Sequence, residues 1–227
     1  MLKKFNFIDR KGEPLPCTPH VDKDKEVNLE NLSFNTRKGK LHIVEQLKDG
    51  SKRWLKKQTL LSRGAYGAVY LYETEDKQHT VVAKEFEDVE EFMVEQGLAL
   101  TVGAVCGVVH SVPLNGNIIM HQYAGDLEDL ALHVDVCAKI TLFVAELLDC
   151  LWKNHGLVYT DVKVKNTLYR CEDDGFISIA LGDIGSIEKY KEKALTEYIS
   201  TFPLPSKQDL KVQRGKLEYV ETELGQL

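Results

Sequence analysis

The residues best placed to do chemistry lie in one stretch, Val158-Tyr159-Thr160-Asp161-Val162-Lys163-Val164-Lys165-Asn166-Thr167-Leu168-Tyr169. A carboxylate, an ammonium and a carboxamide stand at Asp161, Lys163 and Asn166, in a short turn flanked by apolar, β-prone residues. Such a turn aims three polar heads at one point. A second acid, Asp183, sits between glycines in Leu181-Gly182-Asp183-Ile184-Gly185, after an apolar run. Upstream, Gly64-Ala65-Tyr66-Gly67-Ala68-Val69 precedes Val81-Val82-Ala83-Lys84, with Lys84 seventeen residues after Gly67.

Phosphoryl transfer from a nucleotide uses a glycine-rich cover for the phosphates, a lysine on them, an acid and an amide that hold metal, and a base for the acceptor hydroxyl. The chain carries these parts in that order, and over roughly residues 58–186 it resembles a eukaryotic-type serine/threonine protein kinase. The resemblance implies a bilobal α+β fold, with an antiparallel β-sheet N-lobe and a reduced helical C-lobe. It implies ATP and Mg²⁺ as cofactors and a protein hydroxyl as acceptor.

By the same resemblance, Asp161 is the catalytic base and Lys163 neutralises charge on the moving phosphoryl group. Lys84 positions the α- and β-phosphates with Glu95 as its ion-pair partner, although Glu90 and Glu91 compete for that place. Asn166 and Asp183 are the metal ligands. The phosphate cover comprises Gly64, Tyr66, Gly67 and Val69, with Ser62 where kinases carry a first glycine. Met120 backs the adenine pocket and Asp126 reaches the ribose.

The departures narrow the resemblance. Tyr159 and Thr160 replace the His-Arg that usually precedes the catalytic acid, which implies activity independent of loop phosphorylation. Ile184 replaces the usual phenylalanine after the metal-binding acid. Only 42 residues follow Gly185, and neither Pro203 nor Pro205 is followed by glutamate, so the Ala-Pro-Glu signature is missing. This truncated form is similar to the compact kinases among bacterial effectors of the OspG and NleH group and in some large DNA viruses. By analogy with the OspG effectors, the implied partner is a host activator such as a ubiquitin-charged conjugating enzyme. Lysine two residues after the acid is the serine/threonine pattern. Two other readings stay open: a pseudokinase or decoy that works by binding, and a small-molecule kinase of similar fold.

Placing these residues requires a scaffold. Leu41–Leu47 and Arg53–Leu55 alternate as strands around an Asp49-Gly50 hairpin signal. Residues 88–102 read as a helix bearing Phe92, Met93, Leu98 and Leu100. From Asp135, the positions Ile140, Phe143, Val144, Leu147, Leu148, Leu151 and Trp152 recur at helical spacing, and Asn154-His155-Gly156 ends that helix. Two strands around Asp173-Asp174-Gly175 form a hairpin that folds Asp183 back toward Asn166. The organisation expected is an N-terminal extension over 1–40, loosely docked, an N-lobe over 41–122 and a short C-lobe over 123–227.

With 227 residues, 43% of them apolar and 28% charged, the chain has the composition of a globular protein. A net charge of -6 argues against nucleic acid as primary ligand. Lys52, Arg53, Lys56 and Lys57 form a local basic run that reads as a solvated face. The five cysteines show no Cys-x-x-Cys pair, a pattern that suits a reducing compartment and argues against a zinc module. No apolar run reaches the roughly 18 residues of a membrane span, and no secretory leader is evident, so the expectation is a cytoplasmic protein without membrane contact, in a host cytosol if it is an effector or viral protein.

Overall fold

Short alternating runs separated by Gly, Asn and Asp turns dominate the first half of the chain, and they fold as antiparallel hairpins. The computed structural model describes residues 3–17, 26–64, 67–102, 105–128, 130–172 and 174–189. Strand β1 is Lys4–Asn6, β2 Leu32–Arg37, β3 Lys40–Gln46, β4 Lys52–Gly64, β5 Gly67–Glu73 and β6 Thr80–Glu85. Helix α1 follows at Val89–Val102, then β7 Ser111–Leu114, β8 Asn117–Met120 and β9 Gly125–Asp126. Helix α2 spans Val134–His155, followed by β10 Leu157–Tyr159, β11 Thr167–Cys171, β12 Phe176–Leu181 and β13 Ile187–Lys189.

Among the described residues three sheets form, all with antiparallel pairing. The largest runs β2-β3-β4-β5-β6-β8-β7, a second runs β1-β12-β11-β9, and β10 pairs with β13. The architecture is therefore α+β, largely antiparallel, with two α-helices among the described residues. The residues as far as Lys189 make one contact unit.

Two cores hold this arrangement. Beneath the large sheet, Val27, Leu29, Ile43, Leu55, Tyr72, Val81, Ala83 and Ile119 are buried together. The second core forms where α2 lays Val136, Ile140, Phe143, Leu147 and Leu151 against Phe5, Phe7, Ile177, Ile179 and Leu181. Spacings of three and four along α2 put these five side chains on one stripe, and each contributes about 1.5–3 kcal/mol by leaving water. Gly156 ends α2 in the left-handed conformation, its N–H donating to the Trp152 carbonyl at 3.0 Å. Trp152 itself is exposed, unlike the core role its spacing predicts.

The first 40 residues are not a loosely docked extension where they are described. β1 pairs with β12, Lys4 opposite Ser178. Phe5 and Phe7 are buried, with ring centroids 5.5 Å from Phe143 and 5.5 Å from Tyr169 respectively. β2 likewise forms the edge of the large sheet. Among the described residues the second half has one long helix, α2, against the four-stranded sheet. The mixed-charge run from Asp22 to Lys25 and the chain from Tyr190 onward, with Pro203 and Pro205, lie outside the described residues.

The cysteines also differ from expectation. Cys17 is bonded to Cys171 and Cys106 to Cys150, leaving Cys137 as the free, exposed thiol. Scattered spacing in sequence concealed two pairs that the fold brings together, and it lends no support to a reducing compartment. Among the described residues no helix is long and apolar enough to cross a membrane.

Candidate active site

Lys84 stands in a row of cross-strand neighbours. Ser62 faces Val69, Val69 faces Lys84 and Lys84 faces Ile118. Cross-strand partners share a face, and residues two apart on one strand share it as well. Val82 and its partner Met120 therefore lie on the same side as Lys84, Val69 and Ser62. Four residues expected to surround a nucleotide thus occupy one face of one sheet.

An ammonium on that face needs anions. Nζ of Lys84 bonds Oε1 of Glu95 and lies 3.6 Å from Oδ1 of Asp183. The side chains of Lys84 and Glu95 are only 13% and 6% exposed, so the pair is shielded from solvent screening. Burial pushes the Glu95 carboxyl up and the Lys84 ammonium opposes it. The helix explains the choice among the three glutamates. Glu95, Ala99 and Val102 are the buried residues of α1, spaced by four and three, whereas the apolar Met93 and Leu100 are 59% and 71% exposed. Gly185 lets Glu95 in: a Cβ there would stand 2.5 Å from Glu95 Oε1.

The polar turn runs from the end of β10 through a single helical turn at Val164–Asn166 into β11. Lys163 Nζ donates to Asp161 Oδ2 at 2.5 Å. Asn166 Nδ2 donates to the same oxygen at 3.0 Å and to the Asp161 carbonyl at 2.9 Å. The Lys163 hydrogen bond, reinforced by Asn166, holds the Asp161 carboxyl below its ordinary value, and Lys163 is raised in return. Asp161 is exposed enough for an acceptor to reach it, while Asn166 is buried and fixed.

The β11–β12 hairpin brings Asp183 back. Thr167 pairs with Leu181, and the Gly182 N–H donates to the Asn166 carbonyl at 2.8 Å. Asp183 follows with φ 48° and ψ 68°. Ser186 Oγ donates to Asp183 Oδ2 at 3.0 Å.

Sequence reasoning treated Tyr159 and Thr160 only as departures from a pattern, yet both tie the turn to the Asp183 loop. The Tyr159 hydroxyl donates to the Gly182 carbonyl at 2.5 Å. Burial, with Asp183 and Asp161 nearby, pushes that hydroxyl up, so it stays a donor. Thr160 donates its N–H and Oγ1 to the Ser186 carbonyl at 2.8 and 2.9 Å. No local signal reveals these contacts, because the partners lie 23 and 26 residues away.

In the glycine segment, Gly67 has φ 145°, and a Cβ there would overlap the Glu85 carbonyl oxygen. Glycine at 67 is thus demanded by the sheet itself, whereas a Cβ at Gly64 would meet nothing within 4 Å among the described residues. Tyr66, the expected lid, lies outside the described residues. Asp126 is half-buried on β9 opposite Leu168, its Oδ1 accepting the Glu128 N–H at 2.9 Å.

The arrangement joins a buried lysine–carboxylate pair, an exposed ionised acid with its own lysine, and two oxygen donors, Asn166 and Asp183. Among the described residues no group of three His, Cys, Asp or Glu side chains is placed to hold a metal. Mg²⁺ needs only one or two carboxylates when water and substrate phosphates complete its shell, so Asn166 and Asp183 fit it. No family model matches the chain, and no curated protein matches it by sequence.

Proposed function

We propose that the protein is a minimal ATP-dependent serine/threonine protein kinase, transferring the γ-phosphate of ATP to a protein hydroxyl. The observation that carries this reading is the convergence of Lys84, Glu95 and Asp183 beside a turn in which Asp161 is held by both Lys163 and Asn166.

In this reading the depressed carboxyl of Asp161 is ionised at neutral pH and accepts the proton of the acceptor hydroxyl. Lys163, already on Asp161, presents positive charge where the phosphoryl group moves. Lys84, oriented by Glu95, holds the α- and β-phosphates. Asn166 and Asp183 hold Mg²⁺, which when bound neutralises charge on the phosphate oxygens. The buried and tied elements are what fix these groups, and a displacement of about 1 Å costs on the order of a hundredfold in rate. The Thr160 bonds to the Ser186 carbonyl occupy the place of an arginine that would answer an activation-loop phosphate, which supports activity without that modification.

The test incubates the protein and its Asp161→Asn variant with ATP and Mg²⁺, with and without eukaryotic cytosolic extract, and locates phosphate by mass spectrometry. Transfer to Ser or Thr by wild type and not by the variant is expected. Transfer only with extract assigns a partner to activation. Phosphate on a sugar or aminoglycoside and none on protein, or no transfer in either condition, overturns the reading.

A further inference from the structure

The face of the large sheet that carries Lys84 on β6 continues across β4, β3 and β2, on the side opposite the core of Ile43 and Leu55. On β2, β3 and β4, Ile43 and Leu55 point inward, and their strand neighbours point outward. The register sets Arg37 opposite Lys40, His42 opposite Lys56, Val44 opposite Trp54 and Gln46 opposite Lys52. Arg37, Lys40, His42, Lys52, Trp54 and Lys56 therefore share one side of three adjacent strands. The three lysines and the arginine among them are exposed, and His42 and Trp54 are half-exposed.

On β2, β3 and β4 this face carries no acid. The carboxylate of these strands, Glu45, points to the other side, where it pairs with Arg53 at 2.6 Å. Asp49 sits at the hairpin tip, bonded to Ser51. The nearest acid across the sheet is Glu73, opposite Lys56 on β5. Among the described residues none of Arg37, Lys40, Lys52 or Lys56 lies in ion-pairing range of a carboxylate. A chain of net charge -6 thus collects unpaired cations on a single surface.

An indole stands among them. The Arg37 guanidinium lies 5.3 Å from the Trp54 ring centroid, and the His42 ring meets it edge-on at 5.8 Å. Cations alone suit any polyanion. A flat aromatic between them suits a polyanion that carries flat rings.

We infer that this outward face of β2–β4 binds single-stranded nucleic acid, with Trp54 stacking on a base and Arg37, Lys40, Lys52 and Lys56 meeting phosphates. The physics is that of aromatic stacking in a cationic field, which tolerates any sequence. An acidic polypeptide would use the same cations but would gain nothing by stacking on the indole. The pairs Lys56–Glu73 and Val69–Lys84 put this surface on the same side of the sheet as Lys84, several strands away; none of its side chains belongs to the candidate active site, so the inference does not rest on the kinase reading.

The experiment is fluorescence anisotropy with labelled oligo-U and oligo-dT of about a dozen nucleotides, a length within the usual site size. It is run on the full chain, with poly-glutamate as competitor. Four phosphate contacts predict that log K falls against log salt with a slope near -3 for single strands. Trp54→Ala weakens binding about tenfold, as loss of one stacked base does. The combined K40Q, K52Q and K56Q variant flattens the salt slope. Circular dichroism melting checks each variant, and Trp54→Phe, which keeps an aromatic ring, gives an intermediate loss if Trp54→Ala does not fold. Binding indifferent to Trp54 and matched by poly-glutamate overturns the inference in favour of an acidic protein partner. Binding unchanged in the lysine variant, or no binding at about 50 mM salt, where phosphate contacts are strong, overturns it outright.

Discussion

The Tyr159 hydroxyl donates to the Gly182 carbonyl at 2.5 Å, joining the residue two before Asp161 to the residue just before Asp183. Tyr159→Phe removes the donor and leaves a buried acceptor unsatisfied, at a cost of about 1–3 kcal/mol. The expected result is a lower melting temperature and a kcat for phosphate transfer reduced roughly ten- to hundredfold, with KM for ATP little changed, since the loss is one of alignment. A wild-type kcat in this variant would remove Tyr159 from any positioning role.

How much of this was legible depends on distance along the chain. Asp161, Lys163 and Asn166 lie within one turn, so their convergence follows from local geometry. One hairpin, which Asp174-Gly175 signals, brings Gly182, the neighbour of Asp183, onto the Asn166 carbonyl. Phe5 and Phe7 alternate with polar neighbours over too few residues to read as a strand, because their partner β12 begins at Phe176. Met93 and Leu100 match a helical period but face outward, since the period fixes which residues share a side and not which side is covered. Cys17 and Cys171, separated by 154 residues, have no local signature at all.

Lys163 is what lowers Asp161 most. A lowered carboxyl loses its charge only when pH falls below the ordinary aspartate value, so removing the cause raises the titration midpoint. Carbon-13 NMR of the Asp161 carboxyl should show an upward shift in Lys163→Met relative to wild type. An unchanged midpoint would mean that Lys163 does not hold Asp161 in solution.

His121 predicts a second pH effect, on stability. Burial pushes it from 6.5 down to about 4, with Arg170 and His110 acting in the same direction and Glu26, 3.5 Å away, opposing. A histidine kept neutral in the fold contributes stability that is full above its unfolded value of 6.5 and lost as pH falls through about 4. The gap corresponds to about 3 kcal/mol. Urea midpoints measured from pH 7 to pH 4 should fall, and His121→Gln should flatten the decline. Equal slopes for the two proteins would contradict this account.

The two glycines ahead of Lys84 should behave oppositely. Gly67→Ala forces a side chain into the Glu85 carbonyl at a φ of 145°, which should cost at least about 2 kcal/mol. Gly64→Ala meets nothing within 4 Å and should leave the melting temperature within a degree or two of wild type. A phosphate-transfer defect in Gly64→Ala with unchanged stability would show that this position serves a ligand rather than the sheet.

The pairing of β1 with β12 has a temporal side. The strand that opens the chain finds its partner only after residues as far as Ser178 have been synthesised, and the bond between Cys17 and Cys171 closes over the same span. Until then Phe5 and Phe7 have no shelter, and the second core waits on them. Contacts of such long range slow folding and prolong the exposure of sticky surface. The large sheet, built mostly from neighbouring hairpins, faces no such delay, so the nascent chain should hold a formed large sheet while the second core is still incomplete.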